Sequence, residues 1–177
     1  MPSSYTEGKQ TTSKWLGEIK PKTAIDIGPG CGTYEYLVRG SYGALVNGSN
    51  FIKDVSDIEN ETFIDHCIAP DCHITGIEAF YPYIEKYGLT KRYQKVIVSD
   101  VRYLDWNALD ITEKLDVGFA GDVLEHLTES EALSVFRKLQ TYCKNVIISI
   151  PIIHFEQGHV EGNPFETHLE EDWTHDR

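Results

Sequence analysis

The chain has 177 residues, 41% of them apolar and 11% aromatic, which suits one hydrophobic core in a single domain over 1–177. With 28 Asp and Glu against 16 Lys and Arg the formal charge is −12. Such a surface repels phosphate backbones, so nucleic acid is disfavoured as a partner and a small molecule or protein is favoured.

No apolar run approaches the ~20 residues of a membrane-crossing helix. The first residues hold no apolar stretch of the signal-peptide kind, and four cysteines are too few for a disulfide scaffold. A reducing, cytoplasmic setting is therefore expected.

Residues 1–20 are expected to form a short helix around Trp15, Leu16 and Ile19, ending before Pro21. The first β-branched run, Thr23–Ile27, closes in Gly28-Pro29-Gly30-Cys31-Gly32, after which Thr33–Val38 reads as a helix. Residues 40–72, with several Gly, Asp and Asn, read as an insertion, either a lid near the glycine turn or a surface excursion. The second run is His73–Glu78, followed by a helix with Pro82 in its first turn and Gly88 as its stop. The third run is Lys95–Asp100 and the fourth Leu115–Asp122.

Thr128 and Glu131 then have the spacing of a capping box, and Leu133, Phe136, Leu139 and Cys143 recur at helical spacing. The fifth run, Asn145–Ile150, is nearly continuous in apolar residues, as a strand covered on both faces should be. Residues 151–177 are rich in Glu, Asp and His and show no strand pattern. Strands alternating with helices imply right-handed crossovers and a doubly wound, parallel α/β sheet.

In such sheets ligands sit beyond the carboxyl ends of the strands, where the strand order reverses. The residues at those ends suit that place. Glycines after the first strand allow a tight turn and present amide N–H groups at a helix start. Glu78 ends the second strand, where a carboxylate can accept from both hydroxyls of a ribose. Asp100 ends the third, placed for an exocyclic adenine amine. Gly121-Asp122 ends the fourth, followed by Val123-Leu124-Glu125-His126. A nicotinamide dinucleotide would favour Gly-x-Gly-x-x-Gly with an acid about 20 residues on. The Gly-x-Gly-x-Gly spacing and the distant Glu78 speak against it.

These four motifs in order resemble those of class I S-adenosylmethionine-dependent methyltransferases, over roughly residues 15–150. The resemblance implies a Rossmann-like methyltransferase core with strand order 3-2-1-4-5. It implies S-adenosylmethionine as cofactor, with Asp26, Gly28, Gly30, Gly32 and Thr33 around its methionine part. Glu78 and Ala79 would then lie at the ribose, Asp100 and Val101 at the adenine, and Gly121 and Asp122 along the same pocket. Methyl transfer needs alignment and water exclusion more than acid catalysis, and a base only where the acceptor keeps its proton until attack. His126 and His168 are the candidate catalytic residues, with Tyr34 a further residue on the acceptor side.

The function expected is methyl transfer to a small-molecule or protein acceptor; the alternative is a catalytically silent cofactor-binding partner or regulatory subunit. No metal site is expected: His66-Cys67 and Cys72-His73 have loose spacing with Pro70 between them. The chain departs from the family in showing no run for the usual final two strands. Either the core is a shortened version, or residues 151–177 pack over the open fifth-strand edge, or two subunits pair there as a homodimer, an outcome that such an exposed edge favours.

Overall fold

The computed structural model describes residues 8–48, 63–152, 156–169 and 173. Five strands form one all-parallel sheet: β1 (Thr23–Ile27), β2 (His73–Glu78), β3 (Lys95–Val98), β4 (Leu115–Gly121) and β5 (Cys143–Ser149). Their order is β3-β2-β1-β4-β5, the doubly wound order the motifs implied. The central strands are buried on both faces, and because successive side chains point to opposite faces they divide between two clusters. Ala24, Val117 and Phe119 enter one apolar cluster with Leu16, Leu37, Ile74 and Tyr93. Ile25, Ile27 and Ala120 enter the other with Trp106, Ala132, Val135 and Leu139.

The helices cover those two faces. Leu16 of α1 (Lys9–Ile19) and Leu37 and Val38 of α2 (Thr33–Arg39) are fully buried in the first cluster. The insertion opens with α3 (Tyr42–Gly48), while its residues 49–62 lie outside the described residues. Its later part is tied to α1, where Gln10 exchanges hydrogen bonds with the backbone of Ile64, at 2.8 and 3.1 Å. The His66 amide donates to Ser13 Oγ at 2.8 Å. Beyond β2, Pro82 sits in the first turn of α4 (Tyr81–Lys86). Gly88, in the left-handed region, follows that helix and caps the next, α5 (Leu89–Arg92).

The helix before β5 departs from its expected face. The capping box at its start is closed, with the Thr128 amide donating to Glu131 Oε2 at 2.9 Å. Yet α6 (Glu129–Tyr142) buries Ala132, Val135 and Leu139, while Leu133 is exposed. Cys143 is not helical at all. It is the first residue of β5, so helix and strand meet without a loop, and the strand starts two residues earlier than the apolar run suggested.

Among the described residues β5 pairs with β4 alone, and no helix is long and apolar enough to cross a membrane. Residues 156–169 return across the carboxyl ends of the strands, where the Leu169 amide donates to the Glu125 carbonyl at 2.9 Å.

The contact between α6 and the sheet depends on Gly118 of β4, where an added Cβ would lie 2.7 Å from Cys143 Sγ and 2.9 Å from Leu139 Cδ2. Gly118→Ala is expected to cost about 1–3 kcal/mol by overpacking, read as a lowered midpoint in urea unfolding. An unchanged midpoint would mean that α6 is free to shift.

Candidate active site

The carboxyl ends of the strands surround a cavity of about 620 Å³, within the ~300–1,000 Å³ typical of cofactor sites. Ile27, Glu78, Gly121 and Ser149 reach it from the strands, and Gln157, Phe165 and His168 close it from the returning segment. One side of it is built on the tie between the first two strands. The turn after β1 passes through positive φ at Gly28, Gly30 and Gly32. There the Gly30 amide donates to Glu78 Oε2 at 3.2 Å, while the Phe80 amide donates to Oε1 at 2.9 Å. The carboxylate is thus buried and aimed, yet each oxygen keeps a second lone pair for a ligand. Burial pushes its pKa up, and the Phe80 and Gly30 amides pull it back.

Arg92 of α5 holds the same turn from behind. Its guanidinium donates to the carbonyls of Cys31 (2.8 Å) and Gly32 (3.1 Å) and to Glu35 Oε2 (2.6 Å), and it lies 3.8 Å from the Tyr36 ring centroid.

On the other side of β1, Gly121 is required by a close approach. A Cβ there would lie 1.9 Å from Cε2 of Tyr34, a buried ring stacked on Phe119. Asp122, next in sequence, takes φ +55 and accepts from Ser149 Oγ at 3.0 Å.

Nine of the eleven expected cofactor-binding residues line the cavity: Gly28, Gly30, Thr33, Glu78, Ala79, Asp100, Val101, Gly121 and Asp122. Asp26 and Gly32 stand behind its wall. Gly32 is buried, spending its carbonyl on Arg92. Asp26 is 1% exposed and accepts from the Tyr93 hydroxyl at 2.7 Å. Burial pushes its pKa up to about 7. Asp100 reaches the cavity with a carboxylate already engaged by the Arg102 guanidinium (Nη2 at 2.6 Å) and the Arg102 amide (2.9 Å).

The two expected catalytic histidines are brought together. The rings of His126 and His168 lie 4.9 Å apart between centroids, both on the cavity. Burial pushes the His126 pKa down to about 4, partly countered by the Thr167 carbonyl 3.2 Å from Nδ1. Beside them Glu125 is 1% exposed, and burial pushes its pKa up to about 8, with Asp122 adding to the rise. Tyr34 stays protonated, its pKa raised by burial and by Asp122.

The sequence reading missed Lys9. It is 1% exposed, and its ammonium donates to the Tyr34 hydroxyl at 3.3 Å. Burial lowers its pKa, and Asp122 raises it. A signal was present: Lys9, Thr12, Ser13 and Leu16 fall at the spacing of one buried helix face.

No protein-family model matches the chain, and no curated protein does. Solved structures resemble it. A candidate O-methyltransferase of Nostoc punctiforme PCC 73102 is 16% identical with TM-score 0.54, over 96% of this chain and 46% of that one. The methyltransferase domain of the bacterial protein CtHen1-CN is 19% identical with TM-score 0.54, over 97% and 78%. The N-terminal domain of EvdMO1, solved with S-adenosylhomocysteine (SAH), is 11% identical with TM-score 0.52, over 93% and 64%. The chain therefore spans about half of the first and under two thirds of the third. The fold is that of class I methyltransferases.

Asp26 gives a test of the interior. Its folded-state pKa lies above the ordinary 3.8, so between about pH 4 and 7 the folded protein holds a proton that the unfolded chain has released. Stability from this group is then lost as pH rises through that window, by at most about 1.4 kcal/mol per unit. Asp26→Asn keeps an acceptor for Tyr93 and removes the titration, so its stability relative to the parent should climb from pH 4 to 7 and level off above. Parallel stability curves from urea unfolding would contradict the buried acid.

Proposed function

We propose that the chain binds S-adenosylmethionine and transfers its methyl group to a small-molecule or protein acceptor. The observation that carries this reading is the Gly30–Glu78 pair: a backbone turn and a buried carboxylate facing one cavity at the reversal of strand order. Residues present fit the cofactor. Glu78 has lone pairs for the ribose hydroxyls, and the glycine turn allows the close backbone approach an amino-acid arm needs. Val101 offers an apolar face beside Asp100 at the adenine end, and the acids around the cavity suit a ligand carrying a sulfonium charge. When bound, the cofactor supplies an electrophilic methyl carbon: an acceptor lone pair forms the new bond as the carbon–sulfur pair returns to sulfur, leaving a neutral thioether.

The chain's own residues align and enclose. Phe165 and Gln157 line the cavity from the returning segment and narrow the access of water to it. His126 is the candidate base. Its Nδ1 faces a carbonyl that can only accept, so Nδ1 carries the proton and Nε2 the lone pair.

The rival reading, a silent cofactor-binding partner, draws on the short acceptor side: among the described residues nothing after β5 forms a strand. Incubation with methyl-labelled cofactor and extracts separates the two. Label in any acceptor supports the enzyme, and binding without transfer supports the silent partner.

Two substitutions test the cofactor. Gly30→Val places a β-branched residue at φ +52 and should abolish SAH binding while the circular dichroism spectrum is retained. Glu78→Ala should weaken binding by about 1–3 kcal/mol. Calorimetry that finds both variants equal to the parent would remove the assignment.

A further inference from the structure

Glu125 and His168 are left without a role by the reading above, and they stand beside its candidate base, His126. A donor atom from each lies within 4.8 Å of the other two, and all three line the cavity. Glu125 and His126 lie on the 3₁₀ turn Leu124–His126 after β4, and His168 comes from the returning segment. That segment is fixed to the turn from both sides: the Leu169 amide donates to the Glu125 carbonyl, and His126 Nδ1 to the Thr167 carbonyl. The juxtaposition is therefore held by the main chain of the returning segment on both flanks of His168.

A second observation points to a ligand. Glu125 is 1% exposed, and its Oε2 has no hydrogen-bond partner among the described residues. A buried carboxylate oxygen left without a donor costs about 1–3 kcal/mol or more, and natural interiors rarely keep one without a reason. The His126 arrangement gives the reason a direction. Metal-binding imidazoles characteristically donate their other N–H to a backbone carbonyl, which fixes the tautomer and turns the lone pair toward the ion. The Thr167 carbonyl does this for His126.

The geometry points to a divalent-cation site at Glu125, His126 and His168, taking a borderline first-row ion such as zinc, manganese or cobalt. Two imidazoles and one carboxylate match that class rather than calcium or magnesium, which favour all-oxygen sets. Bonds of ~2.0–2.2 Å would bring the donors to roughly 3–3.5 Å apart, a closure that side-chain rotation supplies. Three protein donors leave coordination positions open, as in catalytic rather than structural sites, and the cavity lies beside them. The use of those positions rests on the methyl-transfer reading. They take an oxygen of the acceptor, which makes the acceptor a hydroxyl compound: its proton passes to solvent on coordination, leaving the oxygen lone pair for the methyl carbon, and with the ion holding Nε2 this replaces His126 as the base.

Tag-free protein titrated with Co²⁺ alone tests the site. One ion per chain is expected by calorimetry, with the visible absorption of cobalt bound by nitrogen and oxygen donors. Glu125→Gln and His168→Ala should each weaken that binding at least tenfold while the circular dichroism spectrum stays unchanged. Should the buried Glu125 variant fail to fold, the half-exposed His168 variant decides. Absence of saturable binding, or affinities within twofold of the parent in every folded variant, overturns the site. SAH titrated into the parent keeps the two readings apart. Cobalt binding without SAH binding removes the cofactor and leaves the ion site; SAH binding without cobalt does the reverse.

Discussion

With β2 on one side of β1 and β4 on the other, the chain crosses to opposite faces of the sheet as it leaves the two halves, and a crevice opens between the departing turns. Everything at the site follows from keeping that crevice free of side chains and facing it with polar atoms. The turn after β1 meets the first need with glycine backbone, and Gly121 meets it at the end of β4, where Tyr34 approaches to a distance no Cβ permits. The second need is met across strands. Glu78 reaches from β2 to the amide of Gly30, Ser149 reaches from β5 to Asp122, and Arg92 braces the glycine turn from outside.

The same crevice concentrates acids in a low-dielectric place. Asp26, Glu78 and Glu125 are all at most 5% exposed, and burial raises the pKa of each because water no longer solvates the charged form. Lys9 is a buried cation that faces Asp122, Glu125 and Asp26, with its own pKa depressed by the same loss of solvent. An interior of this kind gains from a positively charged guest, whether a sulfonium or a metal ion.

Much of this was legible in the sequence. β1 and β2 have the bounds their β-branched runs suggested, because a run closed by glycine or acid has a chemical reason to stop where it does. The glycine turn and the strand-end acids were legible for the same reason. The face of α6 was not: Cys143 continues the helical spacing of Leu139, and only the pairing of Cys143 with Leu115 shows that the ladder with β4 claims it. The partnership of His126 with His168, 42 positions on, depends on a returning segment without periodicity, so nothing local announced it. Asp26 and Gly32 read as ligand-facing because motifs record neighbourhood, whereas the structure turns both toward Tyr93 and Arg92.

The returning segment that carries His168 is anchored through peptide groups: the Leu169 amide on the Glu125 carbonyl of the turn after β4, and the His168 amide on the Gln157 carbonyl within the segment itself. Peptide groups are common to all residues except for the missing N–H of proline, so this anchorage is indifferent to most of the side chains it presents. The wall that this segment supplies can therefore be rewritten residue by residue during evolution while the glycine turn and the strand-end acids are left untouched.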